Sequence, residues 1–179
     1  MKKTKIWTIP NILSFFRILL IPFIMKTYDT GAYWKAAALV ALSGLTDLAD
    51  GYIARRFQMV SALGKALDPI ADKLTMLALL LCLCAKVPSM TWLLGVVAVK
   101  EVLMGLEGLL VLRKTGTTYS ALWYGKLNTA LLYGTILLHL LWSKIPLLLS
   151  NLLVLTCTVW NLVSLLLYTR HNRSILRAQ

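Results

Sequence analysis

Residues 64–86 read GKALDPIADKLTMLALLLCLCAK, an apolar run that carries two acids, Asp68 and Asp72, near its start. A helix needs about 20 mostly apolar residues to cross a bilayer, and this run is long enough. Five further stretches share its character. The sequence therefore predicts an all-α integral membrane protein with six transmembrane helices, whose first segment, 8–17, lies partly in the membrane interface. The predicted spans are 8–27, 34–55, 64–86, 91–112, 123–142 and 146–169.

The composition agrees with a membrane protein. Hydrophobic residues make up 59% of the 179 residues, and charged residues only 15%, against about a quarter in soluble domains. Six helices of spanning length use about two thirds of the chain. We therefore expect a single domain over residues 1–179, and we expect no cleavable signal sequence, because no small-residue cleavage site follows the first apolar run.

The formal net charge of +12 reflects 19 Lys and Arg against 7 Asp and Glu. Twelve of the basic residues fall in four alternate connecting or terminal segments, 1–7, 55–65, 113–126 and 170–179. Cytoplasmic loops carry such an excess, so both termini are predicted to be cytoplasmic. In so apolar a chain, the positive excess indicates anionic lipids rather than nucleic acid as the partner.

Four of the seven acids lie within residues 47–72. Asp47 and Asp50 are three residues apart on the second span, and Asp68 and Asp72 are four apart on the third, so each pair shares one helix face. The connection between these spans is short, which predicts antiparallel neighbours and a convergent four-carboxylate site near the cytoplasmic end. One unpaired carboxylate at a helix centre costs about 2.5–3.5 kcal/mol on insertion scales.

Such a cluster needs compensating positive charge. Three cations near the acids could supply part of it: Arg55, Lys65 and Lys73. Two Mg²⁺ or Mn²⁺ ions would balance four carboxylates fully, with oxygen ligands of the right hardness. A solvated charge cluster or a salt-bridge network is the alternative. Gly51 and Ala54 open the helix surface beside Asp50, and a diphosphate would fit the fork of Arg55.

These residues form one motif, Asp47-x2-Asp50-Gly51-x2-Ala54-Arg55-x8-Gly64-x3-Asp68-x3-Asp72. It resembles the signature of the CDP-alcohol phosphatidyltransferases, with all eight fixed residues at the family's spacings. The segment Ile9-Pro10-Asn11-Ile-Leu-Ser14-x2-Arg17 resembles the amino-terminal segment of the same family, and six spans are its usual architecture. The resemblance covers most of the chain.

The resemblance implies a metal-dependent enzyme of phospholipid biosynthesis that moves a phosphatidyl group from CDP-diacylglycerol to an alcohol and releases CMP. Two divalent cations, Mg²⁺ or Mn²⁺, would be held by the four motif acids, and Asp72 would also be the general base. The implied contacts to the CDP-lipid are Gly51, Ala54, Arg55, Asn11 and Ser14. No covalent enzyme intermediate is needed, so we expect direct displacement.

The commonest bacterial acceptor in this family is glycerol 3-phosphate, which gives phosphatidylglycerophosphate. Candidate cations for its phosphate are Lys100, Arg113, Lys114 and Lys126. Lys100-Glu101 resembles an Arg-Glu pair of the glycerophosphate-specific members, which also carry an Arg where this chain has Gly108. The form Lys126-x-Asn128-Thr129 resembles CMP-forming cardiolipin synthases instead, whose acceptor is phosphatidylglycerol. Lys100 and Glu101 could equally neutralise each other within the bundle.

Two other classes remain open at this point: a divalent-cation transporter and a structural membrane protein. A transporter would place acids along a path through the membrane, whereas these lie at one end. The family implies a homodimer, and the lipid substrate implies a bacterial cytoplasmic membrane with the site facing the cytoplasm. The remaining candidates, Cys82, Cys84, Cys157, His139 and His171, are predicted to be structural or solvated. The sequence assigns no role to Glu107.

Overall fold

The computed structural model describes residues 8–57, 62–116, 122–142 and 144–177, which are almost entirely helical. The helices are α1 Ile9–Asp29, α2 Tyr33–Arg56, α3 Ala62–Cys84, α4 Ser89–Thr115, α5 Trp123–Leu141 and α6 Leu147–Arg177. Each coincides with one predicted span, so the all-helical prediction is confirmed. The chain divides into two compact units, residues 1–82 and 83–179.

The start of α1 follows from its sequence. The side chain of Thr8 accepts a hydrogen bond of 3.5 Å from the backbone N–H of Asn11, which satisfies one of the free amides of the first turn. Pro10 lies in that turn, where its missing N–H costs nothing. After α1, Gly31 adopts a φ of +77°, which reverses the chain into α2 at little steric cost.

The first unit is built on α1, which packs along α2. The buried face of α1 is apolar toward its carboxyl end, where Leu20, Ile24 and Tyr28 lie. Toward its amino end the same face is polar and carries Asn11, Ser14 and Arg17. One helix face therefore continues an apolar core into a buried polar region.

In the second unit, α6 packs against both α4 and α5. Polar contacts accompany the apolar core. His139 lies within 2.8 Å of the Thr135 carbonyl through Nδ1 and within 2.9 Å of Ser150 Oγ through Nε2. Both ring nitrogens are thereby satisfied, which confirms the structural role predicted for His139. Among the cysteines, Cys82 and Cys157 are buried.

Glu107 fastens α4 to α6. Its carboxylate accepts a 2.7 Å hydrogen bond from Thr169 Oγ1 and a 3.0 Å bond from Asn172 Nδ2. Both contacts lie within the second unit, so Glu107 has a structural role in joining two helices.

Among the described helices, two are long and apolar enough to cross a membrane by length and composition, α1 and α6. The other predicted spans interrupt their apolar runs with polar residues. For example, α2 contains Asp47 and Asp50, and α5 contains Lys126 and Asn128. Length and composition alone therefore support two of the six predicted spans.

Gly125, at the start of α5, lies directly beneath the ring of Tyr168 on α6. A Cβ at this position would overlap the Tyr168 hydroxyl. That hydroxyl accepts a 3.2 Å hydrogen bond from the backbone N–H of Leu122. The Tyr168 ring also packs edge-to-face against the ring of Tyr124, with 4.6 Å between the ring centroids. The absent side chain therefore lets Tyr168 close the α5–α6 contact.

We predict that Gly125→Ala lowers the free energy of unfolding by about 1–3 kcal/mol, the usual cost of overpacking. Gly134→Ala is the matched control on the same helix, because nothing lies within 4 Å of its Cβ position. It should be neutral or raise stability by up to about 1 kcal/mol through helix propensity. Thermal unfolding in detergent measures both, and equal melting temperatures for the two variants would contradict the contact.

Candidate functional site

Arg17 lies at the centre of the acidic cluster. It is 1% exposed, and its guanidinium contacts all four motif aspartates. Nη1 lies 2.6 Å from Asp47 Oδ1 and also pairs with Asp72. Nη2 lies 3.0 Å from Asp50 Oδ2 and 3.7 Å from Asp68 Oδ1. The structure thus brings the four acids together, as the spacing predicts, around a cation from a third helix.

The cluster is open on one side. The side chain of Asp50 is 3% exposed, whereas those of Asp47, Asp68 and Asp72 are 41%, 39% and 49% exposed. Arg17 and Asp50 therefore form a buried floor, and three carboxylates remain accessible from outside. Such an arrangement lets a polar ligand reach the acids without separation of the helices.

Ser14 extends the site by one turn of α1. Its hydroxyl lies within hydrogen-bond distance of two acceptors, the Pro10 carbonyl at 3.0 Å and the carboxylate of Asp68. Since a hydroxyl donates one hydrogen, it can serve only one of these acceptors at a time. Asn11 is buried beside it on the same face. One of the predicted CDP-lipid contacts, Ser14, therefore touches the aspartate cluster.

The acids pair with Arg17, a cation that was not among the predicted compensating residues. Of those predicted residues, Lys73 has an exposed side chain. The backbone of Gly51, Ala54 and Arg55 belongs to α2. The placement of their side chains, and of the Lys65 side chain, lies outside the described residues.

A local signal pointed to Arg17. Asn11, Ser14 and Arg17 recur at three-residue intervals in an otherwise apolar run, which places three polar side chains on one helix face. An arginine on such a face needs a buried anionic partner, and the chain has few acids to offer. The spacing alone does not show which acids are the partners of Arg17.

In the described part of the chain, no group of three or more His, Cys, Asp or Glu side chains is arranged to hold a metal ion. The contacts of Arg17 with the four aspartates account for this arrangement. The guanidinium of Arg17 stands among the carboxylates and spaces them around its own nitrogens. The donor set is nevertheless four hard carboxylates, the chemistry that Mg²⁺ and Mn²⁺ prefer.

The predicted acceptor residues lie in the second unit. Lys100 is buried, and its Nζ lies 3.2 Å from Glu101 Oε1. The two charges are therefore paired in this structure, which is one of the two roles that the sequence left open. Arg113, Lys114 and Lys126 have exposed side chains. Asn128, by contrast, is 4% exposed, and its Oδ1 has no hydrogen-bond partner among the described residues.

Comparison with characterised proteins gives two kinds of relative. The chain is 38% identical over 119 residues to a CDP-diacylglycerol–glycerol-3-phosphate 3-phosphatidyltransferase of Rickettsia bellii. The aligned region covers 64% of this chain and 65% of the relative. It is 39% identical over 104 residues to a probable CMP-forming cardiolipin synthase of Drosophila melanogaster, covering 58% of this chain and 32% of the relative.

A third relative is the human CMP-forming cardiolipin synthase, 51% identical over 69 residues, which covers 38% of this chain and 23% of that protein. The chain thus spans a third or less of the fly and human relatives. A model of the CDP-alcohol phosphatidyltransferase family matches residues 7–167, which include Arg17 and all four clustered aspartates. The chain belongs to the CDP-alcohol phosphatidyltransferase family.

Proposed function

We propose that this protein transfers a phosphatidyl group from CDP-diacylglycerol to glycerol 3-phosphate and releases CMP. The observation that carries the proposal is the meeting of the four motif aspartates on one buried arginine, in a cluster that is open on one side. The Rickettsia relative, which matches this chain over similar shares of both proteins, supports glycerol 3-phosphate as the acceptor.

The setting that we propose is a bacterial cytoplasmic membrane, crossed six times, with both termini and the aspartate cluster on the cytoplasmic side. All six helices display large apolar side chains on their surfaces, and soluble monomers rarely expose such extensive apolar area. Trp34, Trp92 and Trp123 are 79%, 80% and 66% exposed near helix starts. Tryptophan is enriched at such positions in membrane interfaces.

The four aspartates fit divalent cations by their chemistry, and we propose that Asp47, Asp50, Asp68 and Asp72 hold two Mg²⁺ or Mn²⁺ ions. When bound, these ions would neutralise charge on the diphosphate and on departing CMP. Arg17 supplies one positive charge against four negative ones. Three negative charges are left for added cations to balance.

The donor would lie against α1 and α2. Asn11 and Ser14 supply an amide and a hydroxyl on the buried face of α1. The motif residues Gly51 and Ala54 would leave room for the cytidine diphosphate, and Arg55 would add a donor fork suited to phosphate oxygens. The hydrogen bond between Ser14 and Asp68 supports a donor site at this end of α1.

In the proposed reaction, the acceptor hydroxyl oxygen attacks the lipid-side phosphorus of the diphosphate. A new phosphorus–oxygen bond forms as the bond to the CMP oxygen breaks, so no covalent enzyme intermediate is required. Asp72 takes the hydroxyl proton. At 49% exposure its side chain is the most accessible of the four acids. Its oxygen is engaged by Arg17, so this contact has to loosen before Asp72 can act as a base.

The phosphate of glycerol 3-phosphate needs cations. Arg113 and Lys126 are exposed and suited to this role, with Lys114 next to Arg113. Lys100, the fourth candidate, forms an ion pair with Glu101. We therefore assign the acceptor phosphate first to Arg113 and Lys126.

Phosphatidylglycerol is the second candidate acceptor, which would make the protein a CMP-forming cardiolipin synthase. The buried, uncharged Asn128 favours this alternative, because the form Lys126-x-Asn128-Thr129 resembles the CMP-forming cardiolipin synthases. The human cardiolipin synthase relative agrees. Both acceptors present a primary glycerol hydroxyl, so the proposed chemistry at Asp72 is the same for either one.

We further propose that residues 1–179 act as one domain and pair as a homodimer. The family match runs through both compact units, which supports a single catalytic domain. The +12 charge serves membrane orientation and anionic lipid contact, and we propose no nucleic-acid partner.

The acceptor is tested by CMP release from CDP-diacylglycerol by the purified protein in Mg²⁺. We predict that glycerol 3-phosphate gives CMP and that excess chelator abolishes the release. Inositol phosphate and serine should give none. If phosphatidylglycerol alone supports release, the second candidate is right. If no acceptor supports it, while vesicles containing the protein take up Mn²⁺, the transporter alternative is right.

Replacement of Asp72 by Asn should lower CMP release by about 10²–10⁴-fold, the usual contribution of a general base, while CDP-diacylglycerol still binds. Asp29→Asn is the control, because Asp29 is an exposed acid at the far end of α1, and it should retain full activity. Turnover of Asp72→Asn within a few-fold of the unchanged protein would refute the base assignment.

A further inference from the structure

The guanidinium of Arg17 touches the same carboxylates that the proposed cations would use. Asp47 and Asp72 both meet Nη1, and Asp50 and Asp68 both meet Nη2. Each nitrogen is thus shared by two acids. We propose that Arg17 and divalent cations compete for the aspartate cluster, so that Arg17 is an internal counterion that gives up part of its contacts when cations bind. This inference rests on the metal site of the proposed function.

Electrostatics favours the competition. A guanidinium and a divalent cation repel each other, and each weakens the attraction of the other to a carboxylate that both contact. Mg²⁺ demands near-ideal octahedral ligands at about 2.0–2.1 Å. The acids are now arranged around the planar fork of Arg17, so cation binding has to rearrange them.

The hydrogen bonding of Arg17 shows that its present position is incompletely satisfied. Its Nε is buried and has no hydrogen-bond partner among the described residues. Unpaired buried donors are rare in folded proteins and call for an explanation. An arginine with a purely structural role and a single position would be expected to donate hydrogen bonds from Nε as well as from both Nη atoms. The unpaired Nε therefore favours a side chain with a second position.

Two features of the site would allow cations to replace part of the Arg17 contacts: the accessible carboxylates and the hydroxyl of Ser14. Three of the four carboxylates are open to the outside, so a cation can reach them while Arg17 and Asp50 stay at the floor. Ser14 has an alternative acceptor in the Pro10 carbonyl at 3.0 Å. Its hydroxyl stays satisfied when Asp68 turns toward a cation.

The test measures Mn²⁺ affinity by electron paramagnetic resonance on the purified full-length protein, with no substrate present. Arg17→Gln should bind Mn²⁺ about fivefold or more tightly than the unchanged protein, the lower end of typical coupling between sites. In chelator the same variant should melt at a lower temperature, and Mn²⁺ should raise its melting temperature more than that of the unchanged protein. Arg17→Lys keeps the positive charge but loses the planar guanidinium. Its Mn²⁺ affinity should therefore lie between those of Arg17→Gln and the unchanged protein.

Lys100→Gln is the matched control, because it removes another buried cation from the second unit; its Mn²⁺ affinity should not change. Unchanged or weaker Mn²⁺ binding by Arg17→Gln overturns the competition, and Arg17→Lys decides by the same criterion if Arg17→Gln does not fold. These results leave the proposed function standing when the unchanged protein binds Mn²⁺ and releases CMP. If the unchanged protein binds no Mn²⁺ at all, the proposed metal site fails, and the competition with it.

Discussion

The contact between one buried guanidinium and four carboxylates is the interaction on which the first unit depends. Asp47 and Asp50 on α2 and Asp68 and Asp72 on α3 would repel one another if unpaired, in helices that are otherwise apolar. Arg17 on α1 joins both pairs. Removal of one partner from a buried ion pair typically costs about 3–5 kcal/mol, because the remaining charge is left uncompensated. The same contact that holds three helices together therefore also forms the floor of the proposed reaction site.

The second unit is held together differently. Its helices join through neutral or singly charged contacts: Glu107 with Thr169 and Asn172, and His139 with Ser150. These groups satisfy one another within the unit and leave no comparable excess of charge. The contrast favours the first unit as the place of the proposed reaction centre. An unbalanced set of carboxylates attracts cations, whereas hydrogen bonds between neutral groups serve mainly to fix helix positions.

Helix positions could be predicted from the sequence because long apolar runs and short connections leave few alternatives. The ends differed where polar residues continue a helix past its apolar run, as in α6, which extends to Arg177 rather than 169. The acid cluster was also predictable, since its spacing is local. The partners of Arg17 were not, because they lie 30 to 55 residues away, and the three-residue spacing of the polar residues on α1 marks only the helix face on which Arg17 lies. The acceptor residues stayed ambiguous for a related reason. The sequence does not distinguish a lysine that binds a phosphate from one that pairs with a neighbouring acid, as Lys100 does with Glu101.

The central claim is that the four aspartates are a cation-binding reaction centre whose present counterion is Arg17. A crystal structure of the protein from crystals soaked in Mn²⁺ tests this most directly, because an anomalous difference map locates the metal. The account predicts Mn²⁺ peaks ligated by Asp47, Asp50, Asp68 and Asp72, with the guanidinium of Arg17 withdrawn from at least two of these carboxylates. Mn²⁺ bound elsewhere, or Arg17 still in contact with all four acids in the presence of saturating Mn²⁺, would contradict it.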